Sequence, residues 1–109
     1  MKLIIAIVHD DDAHNLIDDL TKEDFRVTKL ATTGGFLKAG NTTLLIGVEE
    51  NQVNRAIKII KNNCETRDQT IVSPTPMAGT AGVFIPYPVE IKIGGATVFV
   101  VNVEKYLKL

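Results

Sequence analysis

No tryptophan, a single cysteine and a net charge of −1 set the first limits on this 109-residue chain. One thiol, Cys64, builds neither a disulfide framework nor a cysteine metal cluster. No histidine lies near it in sequence, so it reads as a packed helix-end residue and not as a nucleophile. With charge so close to balance, no bulk attraction to nucleic acid or to an anionic membrane is expected, and phosphate recognition has to be local. Long apolar runs are also missing. The first one, Leu3–Val8, holds six residues before the chain turns acidic at Asp10, which predicts neither a signal peptide nor a membrane span. A reduced, cytoplasmic protein with no membrane insertion is the resulting expectation. No nucleophile elbow, zincin, paired C-x-x-C or Walker pattern occurs. His9 and His14 are five residues apart on no common helical face, beside Asp10, Asp11 and Asp12, and a solvated acidic helix start accounts for them as well as a metal does. The expectation is a chain with no catalytic residues, no metal and no cofactor: a binding protein, not an enzyme.

What is present is ordinary globular composition, 45% hydrophobic and 23% charged, which predicts one domain over 1–109. Leu3–Val8 is β-branched and continuous, the pattern of a buried strand. Asp10–Asp12 suit a helix start, where free N–H groups and the positive dipole end meet them. Ala13, Leu16, Ile17 and Leu20 then form one helical stripe. In Phe25–Ala31, alternation sends Phe25, Val27 and Lys29 one way and Arg26, Thr28 and Leu30 the other.

The same grammar returns forty residues later. Thr43–Val48 repeats the strand, Glu49 and Glu50 the acidic start, and Val53, Ala56, Ile57 and Ile60 the stripe. A fixed offset argues for two copies of one unit. Two β-α-β units in tandem predict an α+β, ferredoxin-like βαββαβ fold, with both helices on one face of a four-stranded sheet and Thr66–Val72 closing the second unit. Ser73–Pro88 holds all four prolines and reads as a long loop. Gly94-Gly95, between Val89–Ile93 and Ala96–Val103, reads as the turn of an added C-terminal β-hairpin. An extra apolar hairpin needs cover, so a homo-oligomer with ligand sites between subunits is expected.

Ala31–Asn41, A-T-T-G-G-F-L-K-A-G-N, is about twice as long as a strand connector needs to be and carries an aromatic residue at its tip. Thr32, Thr33, Gly34 and Gly35 suit an anion-holding nest of backbone N–H groups, with Lys38 adding charge. Arg26 and Lys29 sit on the strand entering the loop, and Arg26 can fork onto a phosphate. Phe36 can stack on a base, and Asn41 can read donor and acceptor atoms together. Gly47, inside an apolar strand, suggests close approach of a ligand or another backbone. Phe99, central in the last strand, is as readily a core residue. Residue types alone specify only an anionic ligand with a planar ring.

The segments F-R-V-T-K-L-A-T-T-G-G-F-L-K-A-G-N-T-T and I-P-Y-P-V-E-I-K-I-G-G-A-T-V-F-V resemble the PII-like cyclic di-AMP receptor family of Gram-positive bacteria, over nearly the whole chain. The resemblance implies a homotrimer related to PII signalling proteins. It would bind cyclic di-AMP in clefts between subunits and signal to an unidentified downstream protein through a change in its loops. It implies ligand contacts at Arg26, Thr28, Gly35, Phe36, Leu37, Asn41, Gly47 and Phe99. Close relatives can carry glutamine beside the C-terminal residue, where this chain has Lys108. A PII-type sensor of ATP or ADP, a metal-tolerance trimer and a small phosphatase are the alternatives.

Overall fold

The structure is a computed structural model that describes residues 1–30, 40–76 and 84–109. Strand β1 (Lys2–His9) leads into helix α1 (Asp10–Lys22), then strands β2 (Arg26–Leu30) and β3 (Asn41–Val48). A 3-10 turn at Glu50–Gln52 precedes helix α2 (Val53–Cys64), followed by β4 (Arg67–Pro76), β5 (Phe84–Ile93) and β6 (Ala96–Asn102). Four strands form one antiparallel sheet in the order β2-β3-β1-β6, while β4 and β5 pair only with each other. Among the described residues no helix is long and apolar enough to cross a membrane.

The period of two along β1 and β3 decides which face the helices cover. Ile4, Ala6 and Val8 on β1 and Leu44, Ile46 and Val48 on β3 are buried, and they share a core with Ala13, Leu16 and Leu20 of α1 and Ala56, Ile60 and Cys64 of α2. The forty-residue repeat is therefore a repeat of core positions. Each fully buried Leu or Ile of that stripe contributes about 1.5–3 kcal/mol. Helix α1 stops in a Schellman arrangement. Asp24 takes φ 66°, its N–H donates to the Thr21 carbonyl at 3.0 Å, and the Phe25 N–H donates to the Leu20 carbonyl at 2.9 Å. Phe25 is driven into the core with Arg55 stacked over its ring, its centroid 4.6 Å from the guanidinium carbon. With Phe25 anchored inward, alternation turns Arg26 outward.

Three expectations are corrected. The fourth strand of the main sheet is β6, paired to β1, and not Thr66–Val72, which belongs to β4. Gly94-Gly95 does not turn a hairpin, because β5 and β6 enter different sheets. The pair instead lets the chain cross the end of α2: Gly94 (φ +79°) lies so close that a Cβ would sit 2.5 Å from Arg67 Nη1 and 2.8 Å from the Glu65 carbonyl, and the Gly95 N–H donates to the Cys64 carbonyl. The proline-rich segment is largely strand, since β4 runs to Pro76 and β5 starts at Phe84, leaving 77–83 outside the described residues. Its ladder tolerates proline because Pro74 pairs with Pro86, Pro76 with Phe84 and Pro88 with Val72, all in one register class. Two facing prolines have no N–H to exchange, so that class is the non-hydrogen-bonded one and no ladder bond is lost.

The first turn of α1 is more than an acidic cap. The Asp10 N–H donates to the Gly40 carbonyl at 2.8 Å, and Thr42 Oγ1 donates to the Asp10 carboxylate. Asp12 is 6% exposed; Arg67 Nη2 at the root of β4 donates to its Oδ1 at 2.8 Å. Oδ2 has no hydrogen-bond partner among the described residues, which leaves Arg67 as the chief compensation for a buried charge. Cys64 is fully buried as expected, and burial, with the Asp12 carboxylate adding to it, pushes its thiol up to about 11. A neutral thiol at physiological pH is no nucleophile.

Losing the Arg67 charge should uncover the Asp12 carboxylate. Replacing a buried-pair partner costs about 3–5 kcal/mol, less where one member is solvated, and the Arg67 side chain is 45% exposed. Arg67→Met is therefore expected to lower unfolding stability, measured by urea denaturation at pH 7. Wild-type stability in that variant would show that the pair does not secure the root of β4.

Candidate functional site

The face of the sheet opposite the helices carries the odd-numbered positions of β1 and β3. Register lays them out in rows. Arg26 pairs with Gly47, Gly47 with Leu3, and Leu3 with Val101; the next row is Thr28, Leu45, Ile5 and Phe99. Neither α1 nor α2 covers this face, and its apolar members stay open among the described residues: Phe99 is 52% exposed, and Val101 and Leu30 are also exposed.

Arg26, Thr28 and Gly47 come together over one concavity of about 430 Å³, floored by Leu3 and Leu45. The Arg26 guanidinium makes no ion pair among the described residues and carries five donors in a fork suited to phosphate. Thr28 adds a hydroxyl that donates or accepts. Gly47 forms the dip between them. Its backbone does not take the left-handed region, and an added Cβ would meet only Met1 Cε, at an ordinary 3.5 Å. Folding does not require glycine there, so its effect is to keep the floor open.

The other expected residues are distributed. Asn41 is the first residue of β3, paired with His9, and lines a separate, polar concavity with Thr66, Gly95 and Thr97. It shares the open face with Gly47 but lies six residues along the strand, about 20 Å at the usual rise. One chain therefore does not bring Asn41 and Gly47 to the same base. Phe99 is not the core residue that its central place in the last strand suggests; it stands on the open face across β1 from Leu45. Lys29 pairs with the buried Leu44 and so shares the helix side of the sheet, away from Arg26. Gly35, Phe36 and Leu37, with Thr32, Thr33, Gly34 and Lys38, lie outside the described residues.

Sequence reasoning missed the rest of the rim. Met1, Val103 and Tyr106 also line the concavity. The available signal was a lone aromatic residue in the polar tail Glu104–Leu109. Among the described residues no group of three or more metal-ligating side chains occurs, and His14 Nε2 instead lies 3.4 Å from Asp18.

Two comparisons with known proteins bear on this face. A crystal structure of a functionally unknown protein from Pediococcus pentosaceus ATCC 25745 is 42% identical to this chain. The two align over 99% of this chain and 96% of that one, with a TM-score of 0.76. The family model for the cyclic-di-AMP receptor matches residues 1–109, from end to end. The chain belongs to the cyclic-di-AMP receptor family.

Proposed function

We propose that this chain is a second-messenger receptor. It binds cyclic di-AMP in clefts between the subunits of a homotrimer and signals to a downstream protein through a change in the loops flanking each cleft. The observation that carries the reading is the Gly47 dip, kept open between Arg26 and Thr28 on an uncovered face where packing does not ask for glycine. Cyclic di-AMP offers such a place two planar bases and two phosphates on one ring. Arg26 meets a phosphate, Thr28 and the Gly47 backbone meet a base edge or ribose, and Gly35, Phe36 and Leu37, in the segment between β2 and β3 that lies outside the described residues, cover the base.

Two features support a site shared between copies. The distance along β3 separates Asn41 from Gly47, so one ligand reaches both groups only if they come from neighbouring subunits. Among the described residues the open face also leaves Phe99 and Val101 exposed and Ile5 and Leu45 only half-buried, on a sheet whose edges are β2 and β6. Apolar sheet surface of this kind calls for a partner. In this reading the core is ferredoxin-like, with β6 in the place of the fourth strand and the β4–β5 ribbon inserted ahead of it.

Calorimetry with cyclic di-AMP, ATP and ADP tests the assignment, with cyclic di-AMP expected to bind most tightly. Binding of ATP or ADP alone would make the chain a PII-type sensor of those nucleotides. Gly47→Ala is expected to unfold within about 0.5 kcal/mol of wild type, as its Cβ meets only ordinary contact, while filling the dip lowers cyclic di-AMP affinity at least tenfold. Arg26→Ala is expected to lose about 1.5–3 kcal/mol of binding, the scale of a hydrogen bond to a charged group, with sedimentation unchanged. Full affinity in both variants would place the site elsewhere.

A further inference from the structure

The far rim of the Gly47 concavity is built by the segment that follows β6. The Val103 N–H donates to the Met1 carbonyl at 3.2 Å, one step past the last β1–β6 pair, and Lys2 Nζ donates to Asn102 Oδ1. These bonds hold the base of the tail beside β1. The chain then bends at Glu104, and Tyr106 comes to line the concavity beside Val103 and Met1, on the side away from β2. Tyr106 is 58% exposed, makes no hydrogen bond among the described residues and takes no part in the core. A large ring left that open adds little to folding. Its position is nonetheless specific: the cation and hydroxyl of Arg26 and Thr28 occupy one rim, the bare Gly47 backbone the floor, and the aromatic ring the other rim.

We propose that Tyr106 is a base-stacking wall of the nucleotide site, closing over a purine held above Gly47. This rests on the cyclic di-AMP reading above and adds a residue that comes from the C-terminal tail. The division of labour is chemical. A phosphate is met by charge at Arg26, and the π-face of the base is met by a ring that the core does not need. Base–aromatic stacking is sequence-tolerant by itself, so Tyr106 supplies affinity while the polar groups of the floor and opposite rim choose the base.

The chain lacks tryptophan and has two tyrosines, Tyr87 and Tyr106, which makes the ring its own reporter. Cyclic di-AMP is titrated by calorimetry into the full chain as wild type, Tyr106→Ala and Tyr106→Phe, and tyrosine fluorescence is followed in Tyr87→Phe. The expected result is a loss of about tenfold or more in Tyr106→Ala, ~1.4 kcal/mol per tenfold, affinity within about twofold of wild type in Tyr106→Phe, and quenching of the Tyr106 signal on binding. Unchanged melting and sedimentation of Tyr106→Ala separate a lost contact from a lost fold. Wild-type binding with an unaffected Tyr106→Ala, or no change in Tyr106 fluorescence, overturns the assignment of Tyr106 and leaves the receptor reading standing. Altered sedimentation of Tyr106→Ala also overturns it, because the ring would then belong to a subunit contact. A wild-type chain that does not bind cyclic di-AMP overturns both.

Discussion

Two helices can cover only one side of a four-stranded sheet, and most of what is distinctive about this chain follows from that. The even positions of β1 and β3 spend their apolar surface on α1 and α2. The odd positions face away from both helices. They nevertheless include Leu3, Ile5, Ile7 and Leu45, in line with Phe99 and Val101 of β6, and at one end Gly47 stands beside Arg26 and Thr28 of β2. A sheet face destined for water would alternate to polar residues. This one is apolar across its middle and polar at its two ends, with His9, Asn41, Thr43 and Thr97 at the end away from Gly47.

The corner is held in place by local rules acting in series. A Schellman stop with Asp24 in the left-handed region ends α1, Phe25 anchors inward, and the strand period then points Arg26 and Thr28 at the open face. At the opposite end of the sheet, Asp10 and Asp12 bind the root of the 31–40 segment and the root of β4 to the same turn of helix. The Asp12–Arg67 pair, buried only at Asp12, is better understood as an anchor of geometry than as a large net source of stability. Desolvation cancels much of what such a pair gains, although removing one partner is costly.

Much of the core could be read directly. The forty-residue offset between the stripes of α1 and α2, the alternation of Phe25–Ala31 and the continuous apolar β1 each correspond to observed elements, because they depend on period and nearest neighbours. Pairing was where reading failed. Order along the chain assigned Thr66–Val72 to the second unit, although T-R-D-Q-T-I-V is mostly polar; the structure lays the more apolar Ala96–Asn102 beside Lys2–Val8. Gly94-Gly95 carries the composition of a hairpin turn, yet its glycines serve a close crossing at the end of α2. The prolines misled for a related reason. Their composition suggests a loop, while their spacing of two keeps all of them in the register class that gives up no hydrogen bond.

The sequence by itself determined the class of fold, the stripe residues of the core, the inert nature of Cys64 and, through T-T-G-G-F-L-K-A-G-N, the family. These are properties of local pattern and residue chemistry, present in any segment read alone. Only the tertiary structure decided that Arg26, Thr28 and Gly47 meet over one concavity, that Asn41 stands too far along β3 to join them, and that Tyr106 does join them from the tail. Each of those outcomes depends on register between strands distant in sequence. Register is set by the burial of one whole face at once, which no single stretch of the chain encodes.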